Sequence, residues 1–345
     1  MAGFLSKDEL IAPPGSFNND IGVPATILRC SEQTKCLILE FGARNVGDIS
    51  TLTQLTAPDI GVCLNAGNSH IGVFGSYANI LQEKTEILIN GTKLGLCLAD
   101  QDDLSELASS KCKNLKFFGK VSPGDKSPDF GFEVISSPLE ETKKTHLRLH
   151  AEESGASELS TNVIGPGTAA AVCVAVAVSE LLFPRNQKPV LEALEEANAE
   201  SGRFEQLDVG ATSFINDAYN SNPQSLGAGL EVLDQHYANQ AKVLVLGTML
   251  ELGSESQPMH SALAQSVSAT KNLKLLVTVG EYADAFGSLC SGVHQHFKDL
   301  EAFQQSSTWN SWVQSGTIEG CELVYLKASN TVGIHKIPEL LKAAQ

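Results

Sequence analysis

The chain is short of positive charge: 24 Lys and Arg stand against 40 Asp and Glu, a formal net charge of −16. A surface with that balance cannot neutralise a phosphate backbone, which excludes nucleic acid and other polyanions as partners. Long hydrophobic runs are also missing. The longest, Ala169 to Val178, is half of the roughly 20 residues that a membrane span requires. The opening segment Met1-Ala2-Gly3-Phe4-Leu5-Ser6-Lys7-Asp8 has no basic flank leading into an apolar stretch, so no secretory signal is expected and the cytoplasm is the expected location. None of the eight cysteines (Cys30, Cys36, Cys63, Cys97, Cys112, Cys173, Cys290, Cys321) forms a Cys-x-x-Cys pair, which argues against a zinc or dithiol motif and for reduced cysteines that pack in cores. His294-Gln295-His296 has no acidic or thiol neighbour in sequence and reads as a strand end, not a metal site. Only two tryptophans occur, Trp309 and Trp312, three apart as in core packing on a helix.

What is present is a 42% apolar content over 345 residues, enough to fill two cores. Short β-rich runs alternate with longer stretches of helical period, the pattern of a parallel α/β architecture. The alternation is clearest in the last third. Ser213–Asn216, Lys242–Gly247, Leu273–Gly280 and Cys321–Leu326 read as buried strands, and residues 225–236, 260–270, 300–314 and 334–344 as helices, together a doubly wound unit. Earlier, strands are expected at Cys36–Phe41, Ile60–Asn65 and Leu94–Leu98, with a helix near Ser76–Ile89. An antiparallel hairpin region is expected between about Lys111 and Ser160, and a buried helix over Ala169–Leu182. The composition shifts at Asn198-Ala-Glu-Ser-Gly202, which sets expected domains of 1–200 and 201–345.

In open α/β sheets ligands collect at the carboxyl ends of strands. Glu40 at the end of one expected strand, His70 shortly after another and Lys84 on the next helix could gather round one Mg²⁺, which prefers oxygen ligands. Singly each reads as a cap, a core imidazole or a solvated ammonium; their order and surroundings give them meaning. The chain carries Gly15-Ser16-Phe17-Asn18-Asn19-Asp20-Ile21-Gly22-Val23-Pro24, Glu40-Phe41-Gly42, Asn65 with His70, Lys84-Thr85-Glu86, Gly202-Arg203-Phe204-Glu205, Asn216-Asp217-Ala218-Tyr219-Asn220-Ser221-Asn222-Pro223, Gly247-Thr248-Met249-Leu250-Glu251-Leu252-Gly253 and Lys327-Ala328-Ser329-Asn330. This ordered series, spanning almost the whole chain, resembles the Mur ligases, most closely their MurF type.

The resemblance implies a Mur ligase central-type α/β domain followed by a C-terminal Rossmann-like doubly wound domain. It implies chemistry in which ATP phosphorylates a peptidoglycan-precursor carboxylate and an incoming amine displaces the phosphate. By that likeness Glu40, His70 and a carbamylated Lys84 would hold magnesium, with His70, Lys84 and Arg203 serving catalysis. Arg203 would neutralise phosphate charge, Asp217, Asn220 and Asn222 would line the nucleotide, and Asn18, Asn19, Lys327 and Ser329 would meet substrate. ATP and Mg²⁺ are the cofactors so implied, and a peptidoglycan precursor or a complete Mur ligase the partner.

The likeness fails at positions that carry the chemistry. The family cradles phosphate in a Gly-Lys-Thr or Gly-Lys-Ser loop ahead of the first motif, because backbone N–H groups and an ammonium grip the triphosphate. Here the sole Gly-Lys pair is Gly119-Lys120, outside such a context, so neither the loop nor the family's N-terminal nucleotide domain is expected. Gly167-Thr168-Ala169-Ala170-Ala171 stands in place of His-Asn-x-x-Asn, Gly72 in place of a glutamate, Ser16 in place of an asparagine and Thr248 in place of an aspartate. Ala328 and Asn330 replace Gly and Arg. One lost charge-stabilising contact costs about 3 kcal/mol, two to three decades of rate. The expectation is therefore a degenerate ligase that binds or regulates without independent ATP-dependent catalysis. The alternative is an active D-alanyl-D-alanine-adding ligase that is a fragment or takes its phosphate loop from a partner.

Overall fold

The computed structural model describes residues 5–67, 71–122, 128–136, 144–151, 155–184, 187–290, 292–315, 318 and 320–344. The chain forms two compact units. Among the described residues, one holds the chain up to Ala197 except Val163–Pro166, and the other holds Asn198 onward together with Val163–Pro166.

In the first unit β1 (Leu10–Ile11) and β2 (Cys36–Leu37) form a separate two-stranded parallel pair. The main sheet contains β3 (Ile60–Cys63), β4 (Leu94–Leu98), β5 (Leu115–Lys120), β6 (Phe130–Ser136), β7 (Thr145–Ala151) and β8 (Gly155–Thr161), in that spatial order. β3 to β6 run parallel, and β6, β7 and β8 are antiparallel, as the hairpin expectation requires. Leu147, Leu149 and Leu159 point inward against the helix Thr168–Leu182, whose Val172, Cys173, Val176 and Ala177 are buried. An Ala/Val helix of this kind has little polar face and needs such cover on most sides.

The expected strand Cys36–Phe41 is a correction. Only Cys36–Leu37 is extended, because its ladder partner is two residues long, and Ile38 stays exposed after donating its N–H to Ile11.

The second unit has β9 (Glu205–Val209), β10 (Thr212–Asn216), β11 (Lys242–Gly247), β12 (Leu273–Val279), β13 (His294–Phe297) and β14 (Leu323–Lys327) in the order β13-β12-β11-β14-β10-β9. All neighbours are parallel except the β9–β10 hairpin edge, which the strand pattern did not reveal. Both faces are covered. Val243, Val245, Val324 and Leu326 pack with Trp309, Trp312 and Leu341, while Leu244, Leu246 and Tyr325 pack with Leu226, Leu230 and Phe286. Two buried faces explain the continuous apolar strands. β14 returns between β10 and β11, so the loops after these three strands meet at the sheet's carboxyl end.

Candidate functional site

In the first unit the loop after Gly15 meets the end of the β2 segment. Asn18 donates through Nδ2 to Glu40 Oε1 at 2.9 Å, and its carbonyl accepts the Gly42 N–H at 2.7 Å. A Cβ on Gly42 would come within 2.8 Å of the Asn18 side chain, so the glycine admits this contact. Asn19 is used locally: its Oδ1 accepts the N–H groups of Ile21 and Gly22 and so opens the helix Gly22–Ile27. Lys84 lies half-buried in the last turn of the helix Tyr77–Thr85, which Ser76 caps. His70 lies outside the described residues, so Glu40 and Lys84 are the two members of the predicted trio whose surroundings are known.

Two neighbours missed by sequence reasoning organise this region. Glu83 is buried, its oxygens accepting the N–H groups of Gly47 and Ile49 at 2.7 Å each, which fixes the start of the helix Asp48–Thr56. A carboxylate at a helix N-terminus satisfies orphan donors and meets the positive end of the dipole. Gln101 pairs with the Ala66 peptide through both halves of its amide, at 3.0 and 2.8 Å, and its Nε2 also donates to the Tyr77 hydroxyl at 2.6 Å. That clamp holds the loop leaving β3.

In the second unit Asp217 follows β10, Thr248 follows β11, and Ala328 and Ser329 follow β14. Lys327 is almost fully buried and its ammonium spends three contacts internally: Asp217 Oδ2 at 2.7 Å, the Asp217 carbonyl at 3.2 Å and the Asn220 carbonyl at 3.1 Å. The Tyr325 hydroxyl donates to the same Asp217 oxygen at 3.0 Å. It reaches there because Gly229 has no side chain; a Cβ at that position would stand 2.1 Å from the Tyr325 hydroxyl oxygen. Burial raises the Asp217 carboxyl against the pull of Lys327, lowers the Lys327 ammonium and holds the Tyr325 phenol well above its ordinary value.

The other predicted residues of this unit are placed as follows. Asn220 accepts from Ser329 Oγ at 3.5 Å, and Ser329 Oγ accepts the Leu250 N–H at 2.9 Å, tying three loops together. Asn222 is the N-cap of the helix Pro223–His236, in a reciprocal box with Ser225. Arg203 is half-exposed, 4.3 Å above the Tyr219 ring and 3.3 Å from Glu200. Thr248 donates to the Glu281 carbonyl at 2.5 Å. The buried Ser221 hydroxyl, in the middle of the Asn220–Asn222 loop, has no hydrogen-bond partner among the described residues.

The structure thus brings Asn18 and Glu40 together in one unit, and Asp217, Asn220, Lys327 and Ser329 together in the other. Asn19 and Asn222 it assigns to helix starts.

A family model for the Mur ligase middle domain matches residues 2–179, and one for the Mur ligase glutamate ligase domain matches residues 202–311. The chain belongs to the Mur ligase family. Among curated Mur ligases, the UDP-N-acetylmuramoyl-tripeptide--D-alanyl-D-alanine ligase of Mycobacterium tuberculosis is 34% identical over 81% of this chain and 55% of its own length. The enzyme of the same name from Mycobacterium leprae is 30% identical over 96% of this chain and 68% of its own. The chain therefore spans little more than half of the first of these relatives. Among solved Mur ligase structures, MurF from Acinetobacter baumannii superposes with a TM-score of 0.81 at 25% identity, covering 99% of this chain and 72% of that one. MurF from Thermotoga maritima, solved with ADP, gives 0.81 at 22% identity over 98% of this chain and 74% of that one, a likeness of fold.

The side chains of the described Mur ligase site offer little to a magnesium ion. Glu40 supplies one hard carboxylate, already bonded through one oxygen to Asn18. Lys84 as an ammonium has no lone pair to give and carries charge of the ion's own sign. The two fit Mg²⁺ only if Lys84 is carbamylated.

Proposed function

We propose that this Mur ligase acts in the cytoplasm on peptidoglycan-precursor metabolism as a binding or regulatory protein, engaging a precursor or a complete Mur ligase without turning over ATP by itself. The observation that carries this reading is the closed hydrogen bonding at the carboxyl end of the second sheet. Lys327 gives its protons to Asp217 and to the Asn220 carbonyl, Asn222 caps its own helix, and Thr248 binds the Glu281 carbonyl. Phosphoryl transfer asks chiefly for positioned positive charge and metal, and side chains committed to one another are poorly placed to supply them. The Ser221 hydroxyl in the same loop, without a partner among the described residues, supports retention of ligand binding, since a buried polar group keeps a partner, whether protein, water or ligand.

A second reading has its own support. The Asn18–Glu40 contact and Lys84 are kept, and the relatives named above are longer. Both suit an ATP-dependent D-alanyl-D-alanine-adding ligase completed by a polypeptide that carries a phosphate loop. Isothermal titration of this chain with Mg-ATP tests the first reading. The first expects no binding heat at millimolar nucleotide; a micromolar dissociation constant for this chain alone overturns it.

A further inference from the structure

Cys63 ends β3 and Cys97 lies in β4, and the two are register partners across the parallel ladder. Paired residues on neighbouring strands sit about 4.8 Å apart, within the window of about 4.4–6.8 Å between Cα atoms that a disulfide can bridge. The Cys63 S–H points to the Lys84 carbonyl at 3.6 Å and the Cys97 S–H to the Leu98 carbonyl at 3.7 Å, so each thiol is held by one weak bond to backbone. The sequence hides the pair, because 34 residues separate the cysteines and no spacing motif links them.

We propose that Cys63 and Cys97 form a reversible dithiol–disulfide modification site whose oxidant is a small peroxide. The Cys63 thiolate attacks one oxygen of hydrogen peroxide and breaks the O–O bond. This leaves a sulfenic acid on Cys63 and a hydroxide that takes the thiol proton and departs as water. Cys97 sulfur then attacks the Cys63 sulfur, the S–S bond forms, and the sulfenic oxygen leaves as a second water with the Cys97 proton. Two electrons have passed from the two sulfurs to the peroxide.

Both thiols are buried, so only a small oxidant can enter, and β3 is the edge strand of its sheet, where local opening costs least. The bond would draw the Cys63 sulfur away from the Lys84 carbonyl, linking the thiol redox state to the helix that carries a predicted site residue.

The test treats the intact protein with hydrogen peroxide, blocks remaining thiols with iodoacetamide in denaturant, and maps the unreduced digest by mass spectrometry. Exposed Cys30 shows that the oxidant has acted. The expected result is a Cys63–Cys97 linked peptide that dithiothreitol removes, that Cys63→Ser and Cys97→Ser abolish, and that Cys112→Ser leaves in place. Recovery of both Cys63 and Cys97 as alkylated peptides once Cys30 is oxidised overturns the proposal. So does a link from Cys97 to Cys112. Peptide mapping of the parent protein alone decides the matter if a serine variant does not fold.

Discussion

His260 is fully buried with both ring nitrogens engaged. Nε2 accepts the Met249 N–H at 2.9 Å, so the proton must sit on Nδ1, which donates to the Ser256 carbonyl at 2.7 Å. The imidazole thereby holds the loop after β11, whose Leu250 N–H reaches Ser329. A second ring proton would turn the acceptor into a donor facing another donor, and burial lowers the His260 pKa accordingly. His236, His294 and His335 are lowered by burial as well. For each of these groups the folded chain binds fewer protons than the unfolded one just below about pH 6.5. Their contribution to stability is complete above that pH and is lost as pH falls through the folded values. Urea midpoints are therefore expected to drop between pH 7.5 and pH 5. His260→Ala should cost about 1–3 kcal/mol at pH 7.5 by stranding the Met249 N–H, yet show a shallower pH dependence because one titrating group is gone. Equal slopes in the two proteins would refute the assignment.

Glu83 joins two helices by giving its carboxylate to the backbone of the Asp48–Thr56 start. A glutamine keeps one acceptor oxygen and removes the charge, so Glu83→Gln leaves one N–H short of a partner and is expected to lose about 2 kcal/mol. Chemical denaturation gives the loss, and faster amide exchange at Gly47 and Ile49 locates it; unchanged protection there would assign the carboxylate no capping role. Nothing in the sequence announces this bond, because its acceptors and donors are 34 and 36 residues apart and the donors are backbone groups. The Gln101 clamp on Ala66 was illegible for the same reason. What could be read were elements with a strong period. Lys242–Gly247 was found to the residue because a strand buried on both faces is apolar throughout. Residues 300–314 read as one helix but form two, Leu300–Gln304 and Ser307–Ser315, since Ser306 Oγ accepts the Trp309 N–H and starts a new one. Of the site, Asn18, Glu40, Asp217 and Lys327 could each be named from the ordered motifs, but their pairing as Asn18–Glu40 and Asp217–Lys327 and the bonds within it could not. That Lys327 is a buried brace depends on burial and distance, which no motif encodes.

The two units do not follow the chain strictly, and this makes a prediction about the whole molecule. Ile164 precedes the long helix of the first unit in sequence, yet it is buried in the second unit's core with Phe204, Ile215 and Leu226. Both tryptophans lie in the second unit's other core, so intrinsic fluorescence reports the unfolding of that unit alone, whereas far-ultraviolet circular dichroism reports both. Truncating a buried isoleucine to alanine removes transfer free energy and leaves a cavity, about 2–5 kcal/mol in all. Ile164→Ala is thus expected to shift the tryptophan-monitored urea midpoint downward, although it lies 145 residues before Trp309. Pro166→Ala, at an exposed position two residues on, controls for a mere change in the connecting segment and should leave that midpoint where it is. If Ile164→Ala and Pro166→Ala give the same fluorescence midpoint, the Val163–Pro166 segment does not belong to the second core. The fold would then divide at Asn198 with no return of the chain. A lowered midpoint in Ile164→Ala alone means that the second unit needs a piece of chain from before that boundary, so a fragment starting at Asn198 would lack part of its own core.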